Sequence, residues 1–198
     1  MQFDSMNETP PLKRTPLALG VSLLYAFMVS PALFALRGCS SISPPPVGGG
    51  AVPGSSAAGA VVQSACAALA AVGVVLEAVA DQHKYAAKRR INGAGAGAGD
   101  DDGIKFVGPV TWSYRLCRHP NYLGEILHWV GLFGVGCVSF GDSPTAWVAG
   151  VSGLWGILGI MFGASSRLDK KQSEKYGGLA AYEEWRGRVR WSVIPFIK

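Results

Sequence analysis

Residues 144–164 read PTAWVAGVSGLWGILGIMFGA, twenty-one residues without a charge. A helix needs roughly 20 apolar residues to cross about 30 Å of hydrocarbon, so this run is long enough to span a bilayer. Toward the N-terminus the same feature recurs. Between Glu125 and Arg167 only Asp142 interrupts, and residues 121–140 read NYLGEILHWVGLFGVGCVSF. No charge lies between Arg37 and Glu77, and residues 57–80 read AAGAVVQSACAALAAVGVVLEAVA. None lies between Arg14 and Arg37, and residues 15–36 read TPLALGVSLLYAFMVSPALFAL. The expected fold is therefore an all-α integral membrane protein with about four transmembrane helices, at 15–36, 57–80, 121–140 and 144–164. A soluble bundle of buried helices would show a 3.6-residue alternation, which these runs nearly lack.

Composition agrees. The 198 residues are 49% hydrophobic and only 16% charged, with mean hydropathy +0.25, whereas soluble domains are about 25% charged. Disorder needs the opposite composition. The high Gly and Pro counts, 27 and 12, suit loops and close-packed membrane helices. The first run is read as a retained span, because its basic residues stand far from Met1 and its core is long for a secretory signal.

Lys and Arg residues sort by side, as the positive-inside rule demands. With four spans the N-terminus, the middle loop and the tail share one face. They hold Lys13 and Arg14; Lys84, Lys88, Arg89, Arg90, Lys105, Arg115 and Arg118; and Arg167, Lys170, Lys171, Lys175, Arg186, Arg188, Arg190 and Lys198. The opposite loops hold only Arg37. Residues 1–14 then form a cytoplasmic tail, 15–198 the membrane domain, and the cytoplasmic face holds a basic loop and C-terminal tail. The net charge of +5 reads as topology plus an anionic ligand or lipid; no nucleic-acid motif is present. Two low-complexity loops, 40–56 and 92–102, are assigned no chemistry. Cys39, Cys66, Cys117 and Cys137 lack zinc or redox spacing, and His83, His119 and His128 lack ligand spacing, so no metal is expected.

Polar residues gather at one end of the spans. Glu77 and Asp81 lie four apart on one helix face, and Glu125 sits one turn inside the third span. An intramembrane carboxylate is costly and needs a donor, for which Arg118 and His128 are the nearest in sequence. Pro120 suits a first helical turn, and a helix start beside Arg118 is a basis for binding phosphate or carboxylate.

Three features together, Glu77-Ala-Val-Ala-Asp81-Gln-His-Lys84-Tyr, Arg118-His-Pro-Asn-Tyr-Leu-Gly-Glu125-Ile-Leu-His-Trp129-Val-Gly131 and the closing Ile194-Pro195-Phe196, resemble the steroid 5-alpha-reductase C-terminal family and its DUF1295-type relatives. The resemblance covers about residues 76–198. It implies a membrane-bound, NADPH-dependent reductase of a carbon–carbon double bond conjugated to a carbonyl in a lipid-like substrate, with membrane lipid as the other partner. The endoplasmic reticulum is the favoured membrane. By position, the implied cofactor residues are Asp81, Lys88, Arg118, Asn121, Glu125, Arg167, Tyr176 and Tyr182, with Glu125 and Asn121 at the nicotinamide carboxamide and the basic groups at the phosphates. The insertion at 93–102 departs from the family's shorter loop. The family's six or seven spans are not all present, so the chain is expected to lack the N-terminal helices that supply the proton donor and much of the substrate pocket; no catalytic residue is assigned. Two alternatives remain: an S-adenosylmethionine-dependent membrane methyltransferase of the isoprenylcysteine or phospholipid type, which shares an R-H-P-x-Y-x-G string, and a non-catalytic protein of the same fold.

Overall fold

The computed structural model describes residues 11–40, 57–93, 106, 108–109 and 111–195, with the backbone alone for 11–14, 17, 37–40, 88 and 90–93. Nearly all of both low-complexity loops lies outside these residues. Every regular element described is an α-helix: α1 (Pro11–Ser40), α2 (Ala57–Gly93), α3 (Trp112–Leu116), α4 (Pro120–Cys137), α5 (Pro144–Tyr176) and α6 (Ala180–Arg188). The all-α membrane architecture is as expected. Three described helices are long and apolar enough to cross a bilayer, over Ala18–Leu36, Ala57–Ala87 and Pro144–Tyr176. Their surfaces suit lipid: Trp155 is 78% exposed and Val61 69%. The remaining expected span, α4, is an 18-residue helix whose first half holds Asn121, Glu125 and His128, so its apolar stretch is short.

The long helices outrun their apolar segments. At 1.5 Å per residue, the 37 residues of α2 reach about 55 Å and the 33 of α5 about 50 Å, well beyond the ~30 Å hydrocarbon layer. Lys84, Arg89, Arg167 and Asp169 therefore ride on helical extensions, where the sequence suggested loop and tail.

The chain divides into two compact units. The first comprises Met1–Ala67 and Trp129–Ile157 and packs through small residues, the usual device of membrane helices. A Cβ on Gly153 would stand 2.5 Å from the backbone of Phe27, and one on Gly136 2.5 Å from Pro31. Pro31 lacks the N–H that would bond the Phe27 carbonyl, and the Ser30 hydroxyl donates to that oxygen instead, at 2.8 Å. The Gln63 amide bridges α2 to the end of α4, donating to Val135 O (3.3 Å) and Ser139 Oγ (3.1 Å).

The second unit comprises Ala68–His128 and Leu158–Lys198. Its core is an aromatic cluster of Tyr182, Trp185 and Val189, with Phe106, Tyr176 and Leu179 packed against it. The short helix α3 is bolted to α2. The Tyr114 hydroxyl donates to Ala80 O at 3.2 Å, His83 Nδ1 and Ser113 Oγ are 3.0 Å apart, and Trp112 meets the His83 ring edge-on.

Candidate functional site

All eight candidate cofactor residues fall in the second unit, where three groups of side chains stand out. The first arises from a close helix crossing. Gly73 of α2 and Gly124 of α4 touch backbone to backbone: a Cβ on Gly124 would lie 2.6 Å from both Glu77 N and Gly73 O, and one on Gly73 2.5 Å from Gly124 O and His128 N. Glycine is needed here because any side chain would drive the backbones apart. The crossing sets Glu77 within electrostatic reach of Glu125, Asp81 and His128. Glu125 and Asn121 are half-buried and one turn apart on α4, whereas Asp81 is exposed. His128 Nδ1 lies 3.4 Å from Ala70 O.

The second group is a clamp around Asp169. Arg118 approaches it fork to fork, with Nε donating to Oδ1 at 3.1 Å and Nη2 to Oδ2 at 2.7 Å. His119 Nε2 donates to Oδ1 at 2.9 Å, and the Ser192 hydroxyl to Oδ2 at 2.7 Å. The Arg118 Nη1 group donates to the carbonyls of Val189 (3.1 Å) and Arg190 (2.8 Å). Two backbone bonds complete the clamp, Arg118 N to Trp191 O at 2.8 Å and His119 N to Ser192 O at 2.9 Å. The start of α4 is thus tied to the polar end of α5 and to the segment after α6.

Asp169 stands 25 residues past Pro144, about 38 Å along α5 and so outside the membrane-spanning part. Burial disfavours its charge, but the hydrogen bonds from His119, Arg118 and Ser192 outweigh that and hold the carboxyl well below the usual aspartate range. A carboxylate accepting several bonds behaves this way. Beside the clamp, burial pushes the Cys117 thiol up to about 11. Burial likewise raises the Tyr114 phenol above its ordinary value, with Asp81 and Cys117 adding to it.

The third group is the aromatic core. Tyr176 and Tyr182 pack on Phe106, at centroid distances of 5.1 and 4.9 Å, and Tyr182 is buried. Of the eight expected cofactor residues, the helix crossing gathers Asp81, Asn121 and Glu125. Arg118 belongs to the clamp, Tyr176 and Tyr182 to the aromatic core, and Arg167 is exposed on α5. The Lys88 side chain lies outside the described residues. Arg118 has spent four of its five N–H groups inside the protein, which makes it first of all a clamp residue. Among the described residues no cluster of metal-ligand type occurs.

Sequence reasoning missed Asp169 and Ser192. One signal was available for the aspartate: it is the single acid within Arg167-Leu-Asp-Lys-Lys171, and a buried Arg-His pair needs a carboxylate. Nothing in the local pattern marks Ser192.

The family model described as a protein of unknown function, DUF1295, matches residues 39–189, about three quarters of the chain. It begins well before the stretch that signalled the resemblance and stops short of Ile194-Pro195-Phe196. An uncharacterized protein of Schizosaccharomyces pombe is 26% identical over 92 residues, 43% of this chain and 26% of that protein. The match therefore spans about a quarter of that relative's length. No solved structure matches the chain.

Proposed function

The chain belongs to the DUF1295 family, and on that footing we propose that it is a membrane-bound, NADPH-dependent reductase of a conjugated carbon–carbon double bond in a lipid-like substrate. The observation that supports this most is the Gly73–Gly124 crossing, which sets half-buried Asn121 and Glu125 on one face of α4 beside Glu77. A nicotinamide carboxamide offers two N–H donors and one acceptor, and this face supplies a carboxylate to accept and a side-chain amide to donate.

On this reading the carboxamide end keeps the expected residues, and the phosphate end departs from them. With Arg118 committed to Asp169, the cations open to phosphate include the exposed Arg167, Lys170 and Lys171. Among the described residues Lys170 makes only a long 3.9 Å pair with Glu174. NADPH, when bound, would supply the hydride. The protein's part is to orient the carboxamide at Asn121 and Glu125 and to hold the frame rigid through the Asp169 clamp. Tyr176 and Tyr182 support that frame from the aromatic core.

Fluorescence titration of the full chain in detergent, with NADPH and S-adenosylmethionine side by side, tests the reading. Micromolar NADPH binding with none for S-adenosylmethionine is expected. The reverse result transfers the assignment to a methyltransferase, and binding of neither makes the protein non-catalytic.

A further inference from the structure

Beside the aromatic core lies a cavity of about 550 Å³ lined by Pro109, Tyr114, Arg115, Trp185, Arg188 and Val189. Among the described residues its walls are apolar and aromatic, and the two charged ones are both cations. Arg115 and Arg188 are exposed. Arg188 gives one N–H to Glu184 at 2.6 Å, and Arg115 has no partner among the described residues. Two cations over an apolar wall match a ligand with an anionic head and a hydrocarbon body.

The depth of the cavity identifies that ligand further. Helix α3 supplies Tyr114 and Arg115, and its bonds to Ala80 and His83 fix it beside the point where α2 passes from its apolar run into Asp81, His83 and Lys84. By composition, that transition is where α2 is expected to leave the hydrocarbon layer. Also on α3, Trp112 is 58% exposed and Leu116 43%, three and one residues from Arg115. An exposed Trp and Leu flanking an Arg is the pattern of a segment seated at the headgroup level, with the ring at the interface and the guanidinium among phosphates.

We propose that this cavity binds the headgroup of an anionic phospholipid, with the phosphate between Arg115 and Arg188 and the upper acyl chain along Val189, Trp185 and Pro109. The Arg–phosphate bonds are charge-assisted and so among the stronger ones available. Its described lining shares no residue with the α2–α4 crossing, and the proposal does not depend on the reductase reading. Bound lipid would join α3 to α6.

The test uses the full chain in mild detergent, mixed with equal amounts of phosphatidic acid and phosphatidylcholine of the same acyl composition, and counts retained lipid by native mass spectrometry. At least fivefold preferential retention of phosphatidic acid is expected, near one per chain. The double variant Arg115→Ala/Arg188→Ala should lose that preference, Arg115→Lys/Arg188→Lys should keep most of it, and Arg190→Ala, outside the cavity lining, should leave it unchanged. Both cavity arginines are exposed, so an unaltered melting temperature is the expected check on folding. Undiminished preference in the double alanine variant overturns the proposal. Displacement by millimolar inorganic phosphate would make it a free-phosphate site, and displacement by NADPH would give the cavity to the cofactor; either result also overturns the lipid assignment.

Discussion

Replacing Asp169 by Asn removes one charge and turns one acceptor oxygen into a donor. Either orientation of the new amide does harm. With its nitrogen at the Oδ1 position it confronts Arg118 Nε and His119 Nε2; at the Oδ2 position it confronts Arg118 Nη2 and Ser192 Oγ. The hydroxyl can turn and the imidazole can change tautomer to accept, but the guanidinium cannot. One or two charge-assisted bonds are lost, each worth about 1.5–3 kcal/mol. The Arg118 guanidinium, whose side chain is 11% exposed, is left without its counter-charge. Breaking a fully buried pair costs about 3–5 kcal/mol; because Asp169 is 20% exposed, water relieves part of this, and about 3 kcal/mol is the working figure.

The loss falls on a local structure, so it should appear as local opening. The backbone N–H groups of Arg118 and His119 bond Trp191 O and Ser192 O and report on the clamp directly. An opening made easier by about 3 kcal/mol accelerates their hydrogen exchange roughly a hundredfold, while amides in the middle of α5 keep their protection. Acid should act in the same direction. The Asp169 carboxyl is held below its unfolded value, so its stabilisation is complete above the ordinary aspartate pKa of about 3.9 and disappears as pH falls through and below that value. It is constant between pH 5 and 8. Wild-type exchange rates at Arg118 and His119 in the Asn variant would refute the clamp.

Four further outcomes are expected. Glu125→Gln should leave an inserted protein of near-normal melting temperature with NADPH affinity at least tenfold weaker; lowered melting temperature with normal affinity would show that Glu125 only holds helices together. Gly124→Ala, whose Cβ would meet Glu77 N and Gly73 O at 2.6 Å, should cost about 1–3 kcal/mol as overpacking and lower both melting temperature and cofactor affinity. Cys117, buried and with a thiol that stays protonated to about pH 11, should resist maleimide at pH 8 and become reactive in Asp169→Asn; equal rates in the two proteins would uncouple it from the clamp. Single cysteines from Gly97→Cys and Lys198→Cys, in a background without the native four, should label from one face of sealed vesicles, and labelling from opposite faces would mean that α4 does not cross.

That last expectation shows how far the sequence could be read. The charge-free runs, Pro120 as the first residue of α4 and the polar ends of the helices were all legible, because they follow from composition and from the covalent limits of proline. The count of spans was not. Counting charges gives four, whereas α4, with Asn121, Glu125 and His128 in its first half, falls short of a span by composition alone. The clamp bonds Arg118 and His119, just before α4, to Asp169 near the far end of α5 and to Val189–Ser192 beyond α6. The 18 residues of α4 cover about 27 Å, just short of the ~30 Å hydrocarbon layer.

The positions that could not be read are those where one side chain answers another far away in sequence. Arg118 looked like a ligand for phosphate because a cation before a helix start is commonly that. Its partner lies 51 residues on, in a helix whose local pattern gives no sign of burial, and only the fold brings the two together. The same holds for Tyr182, which reads as a polar candidate but is enclosed by Phe106 and Trp185. Glu125 differs from both. Its cost in an apolar run was visible from sequence, and its crossing partner Glu77 adds a second carboxylate, with His128 also within electrostatic reach of Glu77. Two acids so placed favour a ligand that brings its own donors. A carboxamide does so, and the sulfonium of S-adenosylmethionine brings positive charge instead. Replacing both Glu77 and Glu125 by Gln separates these: a carboxamide ligand should lose its donor-specific contacts in a way insensitive to salt, whereas a cationic ligand should lose a Coulombic attraction whose size falls as ionic strength rises. Salt-independent loss of NADPH affinity in the double variant is the expected result, and a salt-dependent loss confined to S-adenosylmethionine would reverse the assignment.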